Sequence, residues 1–459
     1  MKYILLFGLI LLMSCHSTQQ KTNTFTGANK EIKLITLAPG HFHAALIQKR
    51  SLNQIDDKVY VYAPEGKELE AHLAYIESYN SQQTNPTHWE EIIYTGDDFL
   101  EKMISNKKGN VVVLAGNNKL KTDYIYQSID AGLNVLADKP MAIDYPSFQK
   151  LEKAYRIAEE KDVLLYDLMT ERYVDYNIVN RLLMQDQSLF GELQSGTIDN
   201  PAIELKSVHH FYKEVSGKPL IRPVWYYDVN QQGEGLVDVT THLIDLVLWK
   251  SFPDQAIDHT KDVEVINAKH WPTFISKEEF EKSTRWSYFP DYLPVENDTL
   301  IAVYANGDIN YTVNDKHVSL SVAWNFQAPA NTGDIHTSIF KGTKSTLSIL
   351  QGEEQNYIPK LYIEKGDPFT EEEFMSHLTK AIENLKPEYN IEIKPTAEGR
   401  KELVIHSKEK TSHEDHFSLV ADKFFGYLVN RDIPEWETKN TLTKYYITTK
   451  ALEIARSKD

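Results

Sequence analysis

Six short apolar runs alternate with helical stretches over the first 170 residues, and this alternation restricts the fold more than any other feature of the chain. The runs are IKLITLA (32–38), KVYVYA (58–63), IIY (92–94), NVVVLAG (110–116), NVLAD (134–138) and VLLYDLM (163–169). Helical character begins at Ala44 and returns over 69–79, 97–104, 124–131 and 145–160. Strands separated by helices lie parallel after each crossover, so the expected fold class is α/β, a doubly wound parallel sheet. The runs are nearly continuous rather than alternating, as strands covered on both faces require. The second half changes character. After a helix expected over 236–249 come DTLIAVYAN, VSLSVAWNF, HTSIFKG, STLSIL and KLYIEK, with Asn306-Gly307 and Lys341-Gly342 among the turn residues. That pattern predicts an α+β domain with a large, mostly antiparallel sheet. Two helices over 417–428 and 442–456 close the chain, and the expected domains are 31–168 and 169–459.

The N-terminus reads as an address rather than as part of the fold. Lys2, an apolar run over 3–13 and Ser14-Cys15 have the layout of a secretory signal, and the run is too short to span a bilayer. LMSC resembles a bacterial lipoprotein signal, in which Cys15 becomes the lipidated first residue. Cys15 is the only cysteine, so a disulfide within the chain and a cysteine metal site are excluded. The expectation is a signal peptide over 1–14, a flexible tether over 15–30, and an exported lipoprotein facing the periplasm, held to the membrane only through Cys15. A net charge of −17 argues against nucleic acid as a partner and against a basic membrane-binding surface. The 26 Tyr and 7 Trp suit sugar stacking, or simply fill a large core.

Ligands of open parallel sheets sit at the carboxyl ends of the strands. The fifth run ends in Asp138-Lys139-Pro140, which puts a lysine where chemistry is expected. The loop after the first run is Ala38-Pro39-Gly40-His41-Phe42-His43. A dinucleotide fingerprint wants small residues at the first, third and sixth places, where the backbone approaches a pyrophosphate. Here those places hold Ala38, Gly40 and His43, a degraded match. Glu65 follows the second run by a few residues and is a candidate for a ribose hydroxyl, or a solvated loop acid. In GEGLVDVTTHLIDLVLW (233–249), Asp238, His242, Asp245 and Trp249 fall on one helical stripe within an otherwise apolar helix. That stripe is expected to line a cavity, with Asp238 orienting His242.

These segments together resemble the glucose-fructose oxidoreductase / inositol dehydrogenase (Gfo/Idh/MocA) family of NAD(P)-dependent oxidoreductases. The resemblance rests on VVVLAGNNKLKTDYIYQSIDAGLNVLADKPMAI, on the Asp-x-x-x-His pair of GEGLVDVTTHLIDLVLW and on GDIHTSIFKGTKSTLSIL, and it spans roughly 31–455. It implies a Rossmann-like first domain, NAD or NADP as cofactor, a small carbohydrate substrate and a possible homo-oligomer. By the resemblance, Lys139 lies between nicotinamide and substrate, and Asp238 and His242 complete the catalytic set. Hydride leaves a carbinol carbon only as the hydroxyl proton departs, so a positioned acid/base is required. His242 is assigned as proton acceptor and donor, Lys139 as electrostatic clamp and relay, and Asp238 as orienter or second hydroxyl ligand. Ala38, Gly40, His41, Phe42, His43, Glu65, Asn117, Asn118, Asp138 and Lys139 are the cofactor candidates. Arg172, Trp225, Asp228 and His336 are substrate candidates; a surface position on a sheet is the other reading of His336. The sequence departs from the family at Ala38 and His43, at Asp138 in place of glutamate, and in lacking an arginine after Trp225.

Outside the cytoplasm free NAD is scarce, so the cofactor is expected to be tightly held and recycled within each cycle. Net sugar oxidoreduction meets that condition. So does a glycoside hydrolase that oxidises its substrate transiently and eliminates across the neighbouring carbon. A non-catalytic binding lipoprotein of the same fold is the third reading. His41-x-His43 also allows zinc, as in amidohydrolases. Such pairs are common by chance, no repeat of eight strand–helix units accompanies it, and no metal is expected.

Overall fold

The computed structural model describes residues 25–215, 218–296, 299–330, 332–406 and 412–458. The signal peptide, Cys15 and residues 16–24 of the expected tether lie outside them. Of the described part of that tether, Phe25 is buried in the core of the first domain, whereas residues 26–30 are exposed.

The first domain is a six-stranded parallel sheet of β1 (Leu34–Leu37), β2 (Lys58–Tyr62), β3 (Glu90–Tyr94), β4 (Val111–Leu114), β5 (Asn134–Asp138) and β6 (Leu165–Leu168). Their order is β3-β2-β1-β4-β5-β6. All residues of β1, β4, β5 and β6 are buried, which is why those runs are continuously apolar. β2 is only partly buried, and β3 is the least covered strand. As the edge strand it leaves Ile92 and Ile93 41% and 45% exposed. The crossovers are α1 (His43–Leu46), α2 (Lys67–Asn80), α3 (Phe99–Asn106), α4 (Lys121–Asp130) and α5 (Tyr145–Lys161). The helical stretch expected from Ala44 is therefore a single turn. Asp144 caps α5 by accepting from the Ser147 amide at 2.7 Å. The strand order reverses between β1 and β4, opening a crevice at their carboxyl ends.

The second domain begins with α6 (Asp175–Met184) and β7 (Ile203–Tyr212), then a small ribbon, β8 (Glu214–Val215) with β9 (Lys218–Pro219). Two helices follow, α7 (Val229–Gln232) and α8 (Thr240–Ser251). The large sheet adds β10 (Val263–Ser276), β11 (Val295–Glu296), β12 (Leu300–Val313), β13 (Lys316–Gln327), β14 (Ile335–Lys341), β15 (Ser345–Gln351), β16 (Lys360–Lys365), β17 (Asn390–Pro395) and β18 (Lys401–His406). Its order is β10-β12-β13-β7-β14-β15-β16-β18-β17, with β11 on β12. Only the β13–β7 pair is parallel. Asn306-Gly307 is not a turn but lies inside β12. A Cβ at Gly307 would stand 2.4 Å from the Leu236 side chain, so glycine there lets the segment before α8 press onto the sheet.

Helices α9 (Lys277–Thr284), α10 (Glu371–Leu385), α11 (His413–Asn430) and α12 (Glu435–Arg456) complete the chain. The last two cross the expected boundary at 168/169. Phe417, Val420, Phe424 and Leu428 of α11 share a buried cluster with Leu34, Leu136 and Tyr166 of the first sheet. Tyr445 of α12 packs with the other face of that sheet, while Ile447 and Ala451 enter the second core. Each such large apolar side chain contributes roughly 1.5–3 kcal/mol on burial, so these helices bind the two domains together. Among the described residues no helix is long and apolar enough to cross a membrane.

Candidate active site

β5 carries no polar residue between Asn134 and Asp138 and is buried along its length, so it delivers Lys139 at the carboxyl edge of the sheet. The Lys139–Pro140 bond is cis. Lys139 Nζ donates to Asp238 Oδ1 at 2.5 Å, with the two side chains 17% and 7% exposed. Burial pushes the Asp238 carboxyl up. The Lys139 ammonium and hydrogen bonds from Lys139 and Gln232 outweigh it and hold the group below its ordinary value.

Asp238 reaches Lys139 because it is not in the helix with His242. Residues Gly235–Val237 form a 3-10 turn, and α8 starts only at Thr240. A Cβ on Gly235 would lie 2.0 Å from the Ala305 carbonyl oxygen, so the turn is pressed flat on β12. Thr240 and Thr241 donate their hydroxyls to the carbonyls of Gly235 and Asp238, both at 2.6 Å, and seal the junction. The expected stripe is thereby divided. Asp238 turns to Lys139, and His242 stands half-buried in the first turn of α8. Asp245 accepts two bonds from Arg172 at 2.7 Å, and Trp249 lies under the Arg181 guanidinium.

A cavity of about 300 Å³ opens at the carboxyl ends of β1, β2 and β4. Its walls include Ala38, Pro39, Gly40, Glu65, Gly116 and Asn117, with Trp225 and Gln231 closing it from the second domain. Ala38 has φ +44, and a Cβ at Gly116 would come within 2.5 Å of its carbonyl oxygen. The two loops therefore meet backbone to backbone, which is the cradle that a dinucleotide needs. Glu65, at the rim, accepts from Thr95 Oγ1 at 3.2 Å. The residues present fit a dinucleotide here, although the Gly40 and His41 amides are directed to the Ala115 carbonyl at 3.0 and 3.2 Å. Lys121 also lines the cavity; burial pushes its amine down to about 8. It donates to Asn118 Oδ1 at 2.6 Å and to the Asp138 carbonyl at 3.0 Å.

Asn117 and Asn118 tie the domains together. Asn117 Nδ2 donates to Gln231 Oε1 at 2.7 Å, and Asn118 Nδ2 to the Gln232 carbonyl at 2.8 Å. Asp228, a substrate candidate, caps α7 instead, accepting from the Asn230 amide and from Gln231 Nε2, both at 2.9 Å. Arg172 is likewise outside the cleft. Besides Asp245 it binds Glu437 at 2.7 Å, and Lys444 joins Asp245 to Asp167, all of them buried. Asp138 turns its carboxylate to His43 Nδ1 at 2.9 Å, and Phe42 lies against His41 with ring centroids 4.6 Å apart.

The large sheet brings His336, a substrate candidate, together with Ser207, His209 and Trp324, which the sequence pattern did not single out. Register pairs His336 with Ser207 and Trp324 with His209, placing all four on one face of three neighbouring strands. Ser207 Oγ and His209 Nε2 are 2.5 Å apart, and His209 stacks on Trp324. Asp334 binds His210 Nδ1 at 2.8 Å and Lys213 at 3.0 Å, with His209 Nδ1 3.6 Å away. His209 and Asp238 feel each other's charge. His336 is half-buried rather than on the surface, and burial, with the charges of Lys250 and His209, pushes it down to about 3. The missed signal was Ser207-Val-His209, period-two polar residues on the face of β7 that otherwise carries Ile203, Leu205 and Phe211.

A family model for the oxidoreductase family's NAD-binding Rossmann fold (GFO_IDH_MocA) matches residues 37–167. Another, "Putative oxidoreductase C terminal domain", matches residues 179–456. The crystal structure of a protein from Parabacteroides merdae, described as a putative oxidoreductase, is 49% identical at TM-score 0.93, covering 95% of this chain and 100% of that one. Levoglucosan dehydrogenase in complex with NADH is 12% identical at TM-score 0.58, covering 93% and 98%. Biliverdin reductase from Synechocystis, with biliverdin and NADP+, is 12% identical at TM-score 0.56, covering 93% and 99%. At that identity the likeness is one of fold. No curated protein matches the sequence. With these two segments matched in order over most of its length, the chain belongs to the Gfo/Idh/MocA family and is an NAD-binding oxidoreductase.

Proposed function

We propose that the protein oxidises a hydroxyl of a sugar or polyol, using NAD or NADP that stays bound and is regenerated within the same cycle. The observation that carries this is the Lys139–Asp238 pair at the end of β5, one strand over from the dinucleotide cavity. Bound nicotinamide supplies the hydride acceptor. Lys139 Nζ holds the substrate oxygen, and Asp238 Oδ1, 2.5 Å away, fixes that amine in place. His242 takes the hydroxyl proton as the carbon loses hydride, and returns it when an acceptor is reduced. Trp225, which lines the cavity, offers a flat face to a ligand, whereas Tyr226 and Trp324 are already covered by Arg222 and His209. Retention of the cofactor is supported by Trp225 and Gln231, which cover the cavity from the second domain.

The test is to denature the purified protein and seek released dinucleotide by mass spectrometry. A near-stoichiometric amount is expected. A bare protein that also fails to bind added dinucleotide sinks the reading. The Ser207–His209–Asp334 chain favours one second reading, redox-neutral glycoside hydrolysis, because elimination needs a second proton-handling group away from the oxidised carbon. Deuterium entering the product from solvent without net dinucleotide reduction would select it. We further propose export and lipidation at Cys15; Cys15→Ser then loses palmitate labelling and membrane association.

A further inference from the structure

We propose that His41, His43 and Asp138 bind one divalent transition-metal ion of the zinc type. One nitrogen of each imidazole and one carboxylate oxygen lie within 4.8 Å of one another. Both imidazoles approach the same atom: Asp138 Oδ2 is 2.9 Å from His43 Nδ1 and 3.9 Å from His41 Nδ1. The two rings are 4.0 Å apart by centroid and near perpendicular at 81°. A tetrahedral ion with bonds of about 2.0–2.1 Å sets its donors roughly 3.3 Å apart. Closing the trio on an ion thus takes shifts of roughly an ångström, within reach of χ rotation.

The donors stand on two well-held elements. Asp138 is the last residue of buried β5, and the His41 loop is fixed by the Gly40 and His41 amides on the Ala115 carbonyl. Two imidazoles and a carboxylate make a three-ligand set that leaves a coordination position for water or a substrate oxygen. That position lies on the His41 side, since the three side chains are 29%, 12% and 6% exposed for His41, His43 and Asp138. Charge permits an ion, because the carboxylate offsets part of it and Lys139 is already matched by Asp238. The cavity walls take in the other end of the same loop, Ala38 to Gly40, and none of the three donors.

The full chain, stripped with a chelator and dialysed, is titrated with Co2+ and followed by visible absorption. Tetrahedral d–d bands that saturate at one ion per chain are expected. His41→Gln and His43→Gln should each weaken the apparent affinity by at least about tenfold. The absence of saturable binding by the unsubstituted chain overturns the site. So does undiminished binding by the doubly substituted chain, which would place the ion elsewhere.

Discussion

Lys139 and Asp238 are 99 positions apart and become one group only in the folded chain. An amine buried this far needs its counter-charge, and the carboxylate needs the amine equally. Lys139→Met therefore removes the oxygen clamp and strands Asp238. Turnover should fall about a hundredfold to ten-thousandfold, read as the rate at which substrate reduces the bound dinucleotide in a single turnover. An unchanged rate would remove Lys139 from the mechanism. Of the two residues, only Lys139 announced its position, because a strand's carboxyl end is a known site of chemistry. The location of Asp238 depended on a helix start that its sequence concealed: 236–249 scans as continuous helix, yet Gly235 and Gly307 let sterics flatten its first turn.

Elements carry the structural charge. Arg172 from the segment after β6, Asp245 from α8, and Glu437 and Lys444 from α12 form a buried ionic knot. Arg172→Ala leaves two buried carboxylates short of a partner and should cost about 3–5 kcal/mol, read from the urea midpoint and slope. The knot also gives a pH dependence. Burial pushes the Asp245 carboxyl up, but Arg172 and Lys444 overcome it and hold the group well below its usual 3.8. The folded state then binds fewer protons than the unfolded chain. Its stabilising contribution is complete above that value and is lost as pH falls through the depressed one. Urea midpoints should drop from about pH 5 downward, and Asp245→Asn, although less stable at neutral pH, should show a shallower drop. A drop of the same steepness in that variant would exclude Asp245 as its source.

At the scale of the whole molecule, the cofactor cavity is a joint product of both domains. Gln231 lines it while accepting from Asn117 and donating to Asp228. Gln231→Ala opens that wall and deletes bonds worth about 1 kcal/mol, so dinucleotide should dissociate about fivefold faster. A stopped-flow chase measures this, and an unchanged rate would show that the second domain does not retain the cofactor. The C-terminal helices act at the same scale, since α11 covers the first sheet although it is last but one in sequence.

The alternation of apolar runs determined the parallel sheet by itself, because side chains buried on both faces leave no other pattern. The tip of β5 and the cavity loop followed from strand direction alone. Asn118, Arg172 and Asp228 show the limit: each is polar and stands near the expected cleft in sequence, yet each is bonded into the protein. Local sequence names a side chain's chemistry but not its partner, and Arg172 finds its partner, Glu437, 265 positions away. Tertiary structure alone decided which charges are consumed by packing and which face the cleft. It also drew together Ser207, His209 and His336, whose neighbourhood is set by the pairing of β7 with β14, a long-range register that no local pattern encodes.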